Sequence, residues 1–248
     1  MIQKERQDAI IEILKNQSYT TAKYLTQKLH YSTATINRDL NELEKQKLIK
    51  RSYGGAELLE HHGIPLPYRY DKLRREKLLI GRIASEFIKT GDTVFIDGST
   101  TTQSMARYLT EVDELTVITN NMALVSYLSE YGVKTICLGG QIQEPPSMLN
   151  GNETVINASA YQADKMFFST GSVTKDGRIG ASCYLLLHNI MAQNSKKLFY
   201  LVDHDKINAE TPQYLFDFSK VDYVISDYDF GIKTKKKYPN TKFVLAEK

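Results

Sequence analysis

The chain has 248 residues, 42% hydrophobic and 25% charged, with no low-complexity tract; this fits a globular protein of one large or two smaller domains and excludes a disordered or fibrous one. The net charge of +3 is unevenly placed: residues 1–56 hold 10 Lys and Arg against 6 Asp and Glu, the remainder 22 against 23. The basic excess therefore sits in the N-terminal stretch, where a nucleic-acid partner would want it, although charge alone does not establish one. The charged, periodic start lacks a secretory core, and no run approaches the roughly 18 apolar residues of a membrane span, so a cytoplasmic location is expected. Cys137 and Cys183 lack metal-ligand spacing and are expected to be free, buried thiols. No metal or cofactor is expected.

Residues 4–16 place Ile10, Ile11, Ile13 and Leu14 at helical spacing. Thr20 and Thr21 offer caps for a second helix running to Leu29, with Ala22, Leu25 and Leu29 facing inward, and His30-Tyr31 makes a tight turn. Ser32 then caps a third helix whose inner face is Ile36, Leu40 and Leu43. Its outer face carries Ala34, Arg38, Asn41 and Lys45, with Thr35 and Asn37 at the edges and Ser32 and Thr33 at the start. Arg suits guanine, Asn suits adenine, and Ala or a Thr methyl suits thymine methyls, so this face fits the DNA major groove. Lys47, Lys50 and Arg51 follow as candidate phosphate neutralisers, Gly54-Gly55 as the positive-φ turn of a hairpin or wing, and Tyr53 beside it as a further candidate DNA contact. A solvated helix face followed by an ordinary hairpin uses the same residue types. Three helices and a basic wing in under 60 residues read as a winged helix-turn-helix.

Thr35-Ile36-Asn37-Arg38-Asp39-Leu40, then Leu43, then Arg51-Ser52-Tyr53-Gly54-Gly55-Ala56 resembles the DNA-binding signature of the DeoR family of sugar-responsive repressors. Asn37 stands where that family usually has the first of two arginines. The resemblance implies a sequence-specific repressor of a carbohydrate-utilisation operon, acting on double-stranded operator DNA as a homo-oligomer, dimer or tetramer.

Gly63, Pro65 and Pro67 break the pattern, and His61-His62 read as exposed linker histidines rather than metal ligands. The expected division is a winged helix-turn-helix over 1–57, a linker over 58–75 and an α/β domain over 76–248. A helix is expected over 71–90. Strands are then expected at Thr93–Ile96, Leu115–Thr119, Lys134–Leu138, Lys165–Ser169, Lys197–Val202, Tyr223–Ser226 and Phe243–Leu245, and helices at Thr101–Leu109, Met122–Tyr131, Thr154–Tyr161 and Tyr184–Asn194. This alternation argues a doubly wound, mostly parallel sheet covered on both faces.

In such a sheet ligands bind beyond the carboxyl ends of the strands. Asp97, Ser99, Thr100, Thr101 and Thr102 follow the first strand, in chemistry equally suited to a phosphate or to plain helix capping. Asn120, then Gly139-Gly140, then Gly171, then Asp203 and Lys206 follow later strands. Lys206 is either a phosphate partner or a surface lysine. These clusters resemble the sensor domain of the same family, which implies an isomerase-like fold used to sense a phosphorylated sugar. Leu186 and His188 stand where that family commonly has Glu and Lys; His188 reads as a donor or as a half-buried structural histidine. The alternative reading is a sugar-phosphate isomerase-like enzyme with Asp97, Asp203 and Lys206 as its acid–base groups and an accessory DNA-binding domain.

Overall fold

Two N-terminal helices begin where a side-chain oxygen meets the first turn: Thr21 Oγ1 accepts from the Tyr24 N–H at 3.1 Å, and Ser32 Oγ from the Thr35 N–H at 3.2 Å. The computed structural model describes residues 3–17, 19–46, 48–52, 54–58, 72–144, 148–180, 185–209 and 213–247. It divides into two compact units, 1–69 and 70–248. Lys47, Tyr53, residues 59–71 of the expected linker with His61 and His62, and Cys183 lie outside the described residues.

The first unit contains α1 (Gln3–Gln17), β1 (Tyr19–Thr21), α2 (Ala22–Leu29), α3 (Thr33–Lys45), β2 (Ile49–Ser52) and β3 (Gly55–Leu58). Ile10, Ile11, Leu14, Leu25, Ile36, Leu40 and Leu43 are buried together, each contributing about 1.5–3 kcal/mol of hydrophobic stabilisation. His30 closes α2 in the left-handed region. The wing is larger than the expected hairpin, because β1 adds to β3 and makes a three-stranded antiparallel sheet in the order β1-β3-β2. Thr20 therefore belongs to a strand, and Thr21 alone is the cap.

This third strand also corrects the reading of the two glycines. Gly54 takes the positive φ of the turn, at 78°; Gly55 does not. A Cβ on Gly55 would lie 2.2 Å from the Thr20 carbonyl oxygen and 2.6 Å from the Tyr19 hydroxyl, so glycine is needed there for close strand approach. Gly55→Ala should push the wing off β1 and destabilise this unit by about 1–3 kcal/mol, as a lowered melting temperature would reveal. An unchanged melting temperature would contradict the packing.

The second unit holds α4 (Arg74–Ser85), β4 (Thr93–Ile96), α5 (Thr100–Gln103), α6 (Ala106–Leu109), β5 (Thr116–Thr119), α7 (Met122–Glu130), β6 (Lys134–Cys137), β7 (Gln141–Glu144), β8 (Met148–Asn150), α8 (Asn152–Ser159), β9 (Ala163–Phe168), β10 (Arg178–Gly180), α9 (Leu185–Gln193), β11 (Ser195–Val202), β12 (Tyr214–Asp217), β13 (Tyr223–Ser226), α10 (Gly231–Lys237) and β14 (Lys242–Leu245). Seven of these strands form one parallel sheet in the order β14-β13-β11-β9-β4-β5-β6. Val94, Ile96, Val117, Phe167, Phe199 and Leu201 pack on one face with Ile80 and Ala84 of α4 and Leu124 and Leu128 of α7. The residues between them, including Phe95, Met166, Phe168, Tyr200 and Val202, are buried as well. Such doubly covered strands read as continuous apolar runs, which is why the sequence placed them well.

Several expectations need amending. The helix expected over 71–90 spans Arg74–Ser85, preceded by Leu73 with φ 52°. The helix expected at Thr101–Leu109 breaks into α5 and α6, where the Ser104 hydroxyl contacts the Thr101 and Lys77 carbonyl oxygens, each at 2.6 Å. The antiparallel pairs β7–β8 and β10–β12 were not foreseen. Cys137 lies on the edge strand β6 and is exposed rather than buried. Among the described residues no helix is long and apolar enough to cross a membrane.

Candidate functional site

On α3 the outward residues Thr33, Ala34, Arg38, Asn41 and Lys45 are exposed, as is Ser32 at the cap, and Thr35 and Asn37 are half-exposed. Directly beneath them lies a charge that the sequence reading passed over. Asp39 is fully buried and takes a two-pronged ion pair from Arg6 of α1, with Nη2 donating to Oδ1 at 3.0 Å and Nε to Oδ2. The Arg6 guanidinium also lies over the Tyr31 ring, 4.7 Å from its centre. The bond to Asp39 raises the Arg6 pKa against the opposing effect of burial. The signal was available: Asp39 sits at i+3 from Ile36 and i−4 from Leu43, a carboxylate on an apolar face.

Arg51 of β2 is turned onto α3. Its backbone N–H donates to Glu44 Oε1 at 2.8 Å, and its guanidinium donates to Asn37 Oδ1 at 2.7 Å and Asn41 Oδ1 at 2.5 Å. The sequence reading gave it to a phosphate. Lys50 is exposed and meets Glu57 only at 3.9 Å. Gly54 is exposed and Gly55 buried.

In the second unit, β4 and β9 are neighbours although the chain runs outward from them in opposite directions. That boundary is the topological switch point, where loops diverge and leave a crevice. Asp97 and Ser169 meet there. Asp97 Oδ2 accepts from the Ser169 N–H at 3.0 Å and pairs with His188 Nε2 at 3.0 Å, while Oδ1 accepts from the Ser99 N–H at 3.2 Å and the Thr102 hydroxyl at 2.7 Å. Burial pushes the Asp97 carboxyl up, but the bonds from His188, Ser169 and Thr102 outweigh it and hold the pKa below its ordinary value.

Each threonine of the loop has its own partner. Lys77 Nζ donates to Thr100 Oγ1 at 3.1 Å, Lys206 Nζ donates to Thr101 Oγ1 at 2.8 Å and to Ser169 Oγ at 2.9 Å, and Thr102 serves Asp97. A hydroxyl that accepts from an ammonium keeps its own proton to donate. Ser99 Oγ caps the turn by accepting from the Thr102 N–H. The turn carrying Lys206 is pinned by Asp227, which accepts from the His204 N–H at 2.7 Å and pairs with its Nδ1; that pairing raises the His204 pKa despite partial burial.

Two buried acceptors stand out. Asp203 Oδ2 makes no hydrogen bond among the described residues and meets Lys206 Nζ only as an ion pair at 3.4 Å. Asn120 Oδ1 likewise has none, while its Nδ2 donates to the Leu149 carbonyl at 2.8 Å. Gly139 and Gly140 serve the framework: Thr154 Oγ1 donates to the Gly139 carbonyl at 2.7 Å, and a Cβ on Gly140 would meet that hydroxyl at 2.0 Å. Gly171 is exposed with open space beside it. His188 is buried and joined to Asp97 rather than half-buried, whereas Leu186 is 58% exposed. Lys77 was not singled out from the sequence, since only the tertiary fold carries it across to Thr100.

The chain matches the DeoR-like helix-turn-helix domain over residues 6–62 and the DeoR C-terminal sensor domain over residues 72–228. It is 33% identical over 92% of its length to the HTH-type transcriptional repressor GlcR of Bacillus subtilis, covering 89% of that protein. To the glycerol-3-phosphate regulon repressor of Escherichia coli it is 30% identical, with 92% of each chain covered. Ribose 5-phosphate isomerase A from Neisseria gonorrhoeae aligns with 54% of this chain and 53% of its own, at 13% identity and a TM-score of 0.40.

Proposed function

The chain belongs to the DeoR family of transcriptional regulators, and from that premise we propose that a phosphorylated sugar bound at the β4–β9 switch point controls its grip on operator DNA. It is a DNA-binding repressor rather than an enzyme, as its relatives are. The observation that carries the sensing half is the pair of ammonium groups, Lys77 and Lys206, held on the hydroxyls of Thr100, Thr101 and Ser169. A phosphate would take up both cations and receive the hydroxyl protons. A sugar adds hydroxyl donors, and Asp203 Oδ2 and Asn120 Oδ1 are buried acceptors of the kind those donors satisfy.

On the DNA side, Ser32, Thr33, Ala34, Thr35, Asn37, Arg38, Asn41 and Lys45 form the reading face, with Lys50, Tyr53 and Gly54 as contacts to the DNA backbone. A single winged helix covers too little surface for operator affinity, so two or more copies would occupy paired half-sites. The effector acts by binding the DNA-competent and DNA-incompetent forms unequally.

The test is a mobility-shift titration on the protein's own upstream region with a panel of sugar phosphates. One compound should change the bound fraction. Lys206→Met should demand at least about tenfold more of it, while DNA affinity without effector stays as in the parent protein. A shift indifferent to every compound would leave the DNA-binding half and remove the sensing half.

A further inference from the structure

Arg51 and the two asparagines of α3 form a unit whose chemistry constrains what the reading face recognises. A guanidinium only donates. The atoms of Asn37 and Asn41 that face it, at 2.7 and 2.5 Å, are therefore their carbonyl oxygens, and the amide orientation follows from chemistry. Arg51 itself is held by its N–H on Glu44. We propose that Arg51 is a specificity-determining positioning residue: it turns the oxygen of each carboxamide toward the wing and leaves the NH₂ groups as the reading ends.

The consequence concerns the base code. Asparagine reads adenine by presenting both its ends to one base, accepting from N6 and donating to N7. With the oxygen ends turned onto Arg51, Asn37 and Asn41 meet the groove through their NH₂ groups and donate there, beside the donor-only guanidinium of Arg38. A donor-only face selects base-edge acceptors: purine N7, guanine O6 and thymine O4. It selects most strongly against cytosine, whose edge offers only an amino donor, while adenine keeps its N7 but loses the paired contact to its N6 amino group. The bidentate adenine preference that the two asparagines suggest from sequence is thus lost, and guanine and thymine gain on adenine at the positions they face. An arginine at position 37 could not accept from Arg51, so the pairing depends on the asparagine in this chain.

The inference rests on α3 being the reading helix, and the experiment separates the two. Operator half-sites are selected from randomised DNA by the full-length protein and by Arg51→Met, Arg38→Ala and Asn37→Ala variants. The parent protein should deplete cytosine at two positions and show no preference there for adenine over guanine or thymine. Arg51→Met frees both carboxamides to rotate and should raise adenine about tenfold at those two positions, leaving the Arg38 position unchanged. In the Asn37→Ala background the same substitution should move only one position. If Arg51→Met instead weakens binding to all sequences alike, with a salt slope lower by about one and no change in base preference, Arg51 is a phosphate contact and the proposal is wrong. If Arg38→Ala alters no base preference, the reading-helix assignment itself fails and the proposal falls with it. A measurement on the folded parent protein without DNA guards against a misfolded variant. The side-chain NH₂ signals of Asn37 and Asn41, assigned by alanine substitution, should show the order of the backbone; signals as mobile as surface amides would overturn the proposal.

Discussion

Arg6→Ala is expected to unfold the N-terminal unit and abolish DNA binding while the C-terminal unit stays folded. Asp39 is fully buried, and Arg6 supplies both of its guanidinium contacts. Removing the cation leaves a carboxylate out of water with its charge uncompensated, which costs roughly 3 kcal/mol. A unit of under 70 residues has little stability to spare. Thermal melting followed by circular dichroism should show the low-temperature transition lost and the other retained. Arg6→Met combined with Asp39→Leu should recover much of the loss, because a buried ion pair exchanged for apolar groups is close to neutral. If Arg6→Ala melts like the parent protein, Asp39 is not the buried charge described above.

Asp97→Asn carries the second large expectation. Both carboxylate oxygens accept from backbone N–H groups, Ser99 on one and Ser169 on the other. Whichever way an asparagine turns, its NH₂ confronts a donor, and the bond with His188 or Thr102 weakens as well. The loss should be about 2–4 kcal/mol in the C-terminal unit, with the effector response gone. Urea titration followed by circular dichroism measures it, and a change within about 0.5 kcal/mol would remove Asp97 from its place as the organiser of the site.

The same residue gives a pH signature. Its folded-state pKa lies below the ordinary carboxylate value. Its contribution is therefore complete above the unfolded value of about 4 and is lost as pH falls through that value toward the lower folded one. The parent protein should lose stability over that interval, and the asparagine variant should lose less.

The α3 helix, its Ser32 cap and the strands Thr93–Ile96 and Tyr223–Ser226 were legible because each is a local matter. A hydroxyl before an apolar period of 3.6, or a short apolar run between turn residues, needs no knowledge of the rest of the chain. The loop Asp97–Thr102 was legible for the same reason, since it is contiguous. Less legible was the broken helix at Ser104, where a hydroxyl contact with Lys77, 27 residues away, competes with the regular pattern.

By itself the sequence determined the family, the two-part architecture and the hydroxyl-rich loop Asp97–Thr102 that leads into α5. The tertiary structure alone decided what the polar groups do. Lys77, Lys206 and His188 are 23, 105 and 91 residues from the loop atoms they contact, and Arg51 is 14 from Asn37. Residue type says that an ion or an amide needs a partner, because a buried polar group left alone is costly. Which partner it finds depends on where parallel strands deliver their ends and where a wing folds back on its helix, and those placements are properties of the whole packed chain.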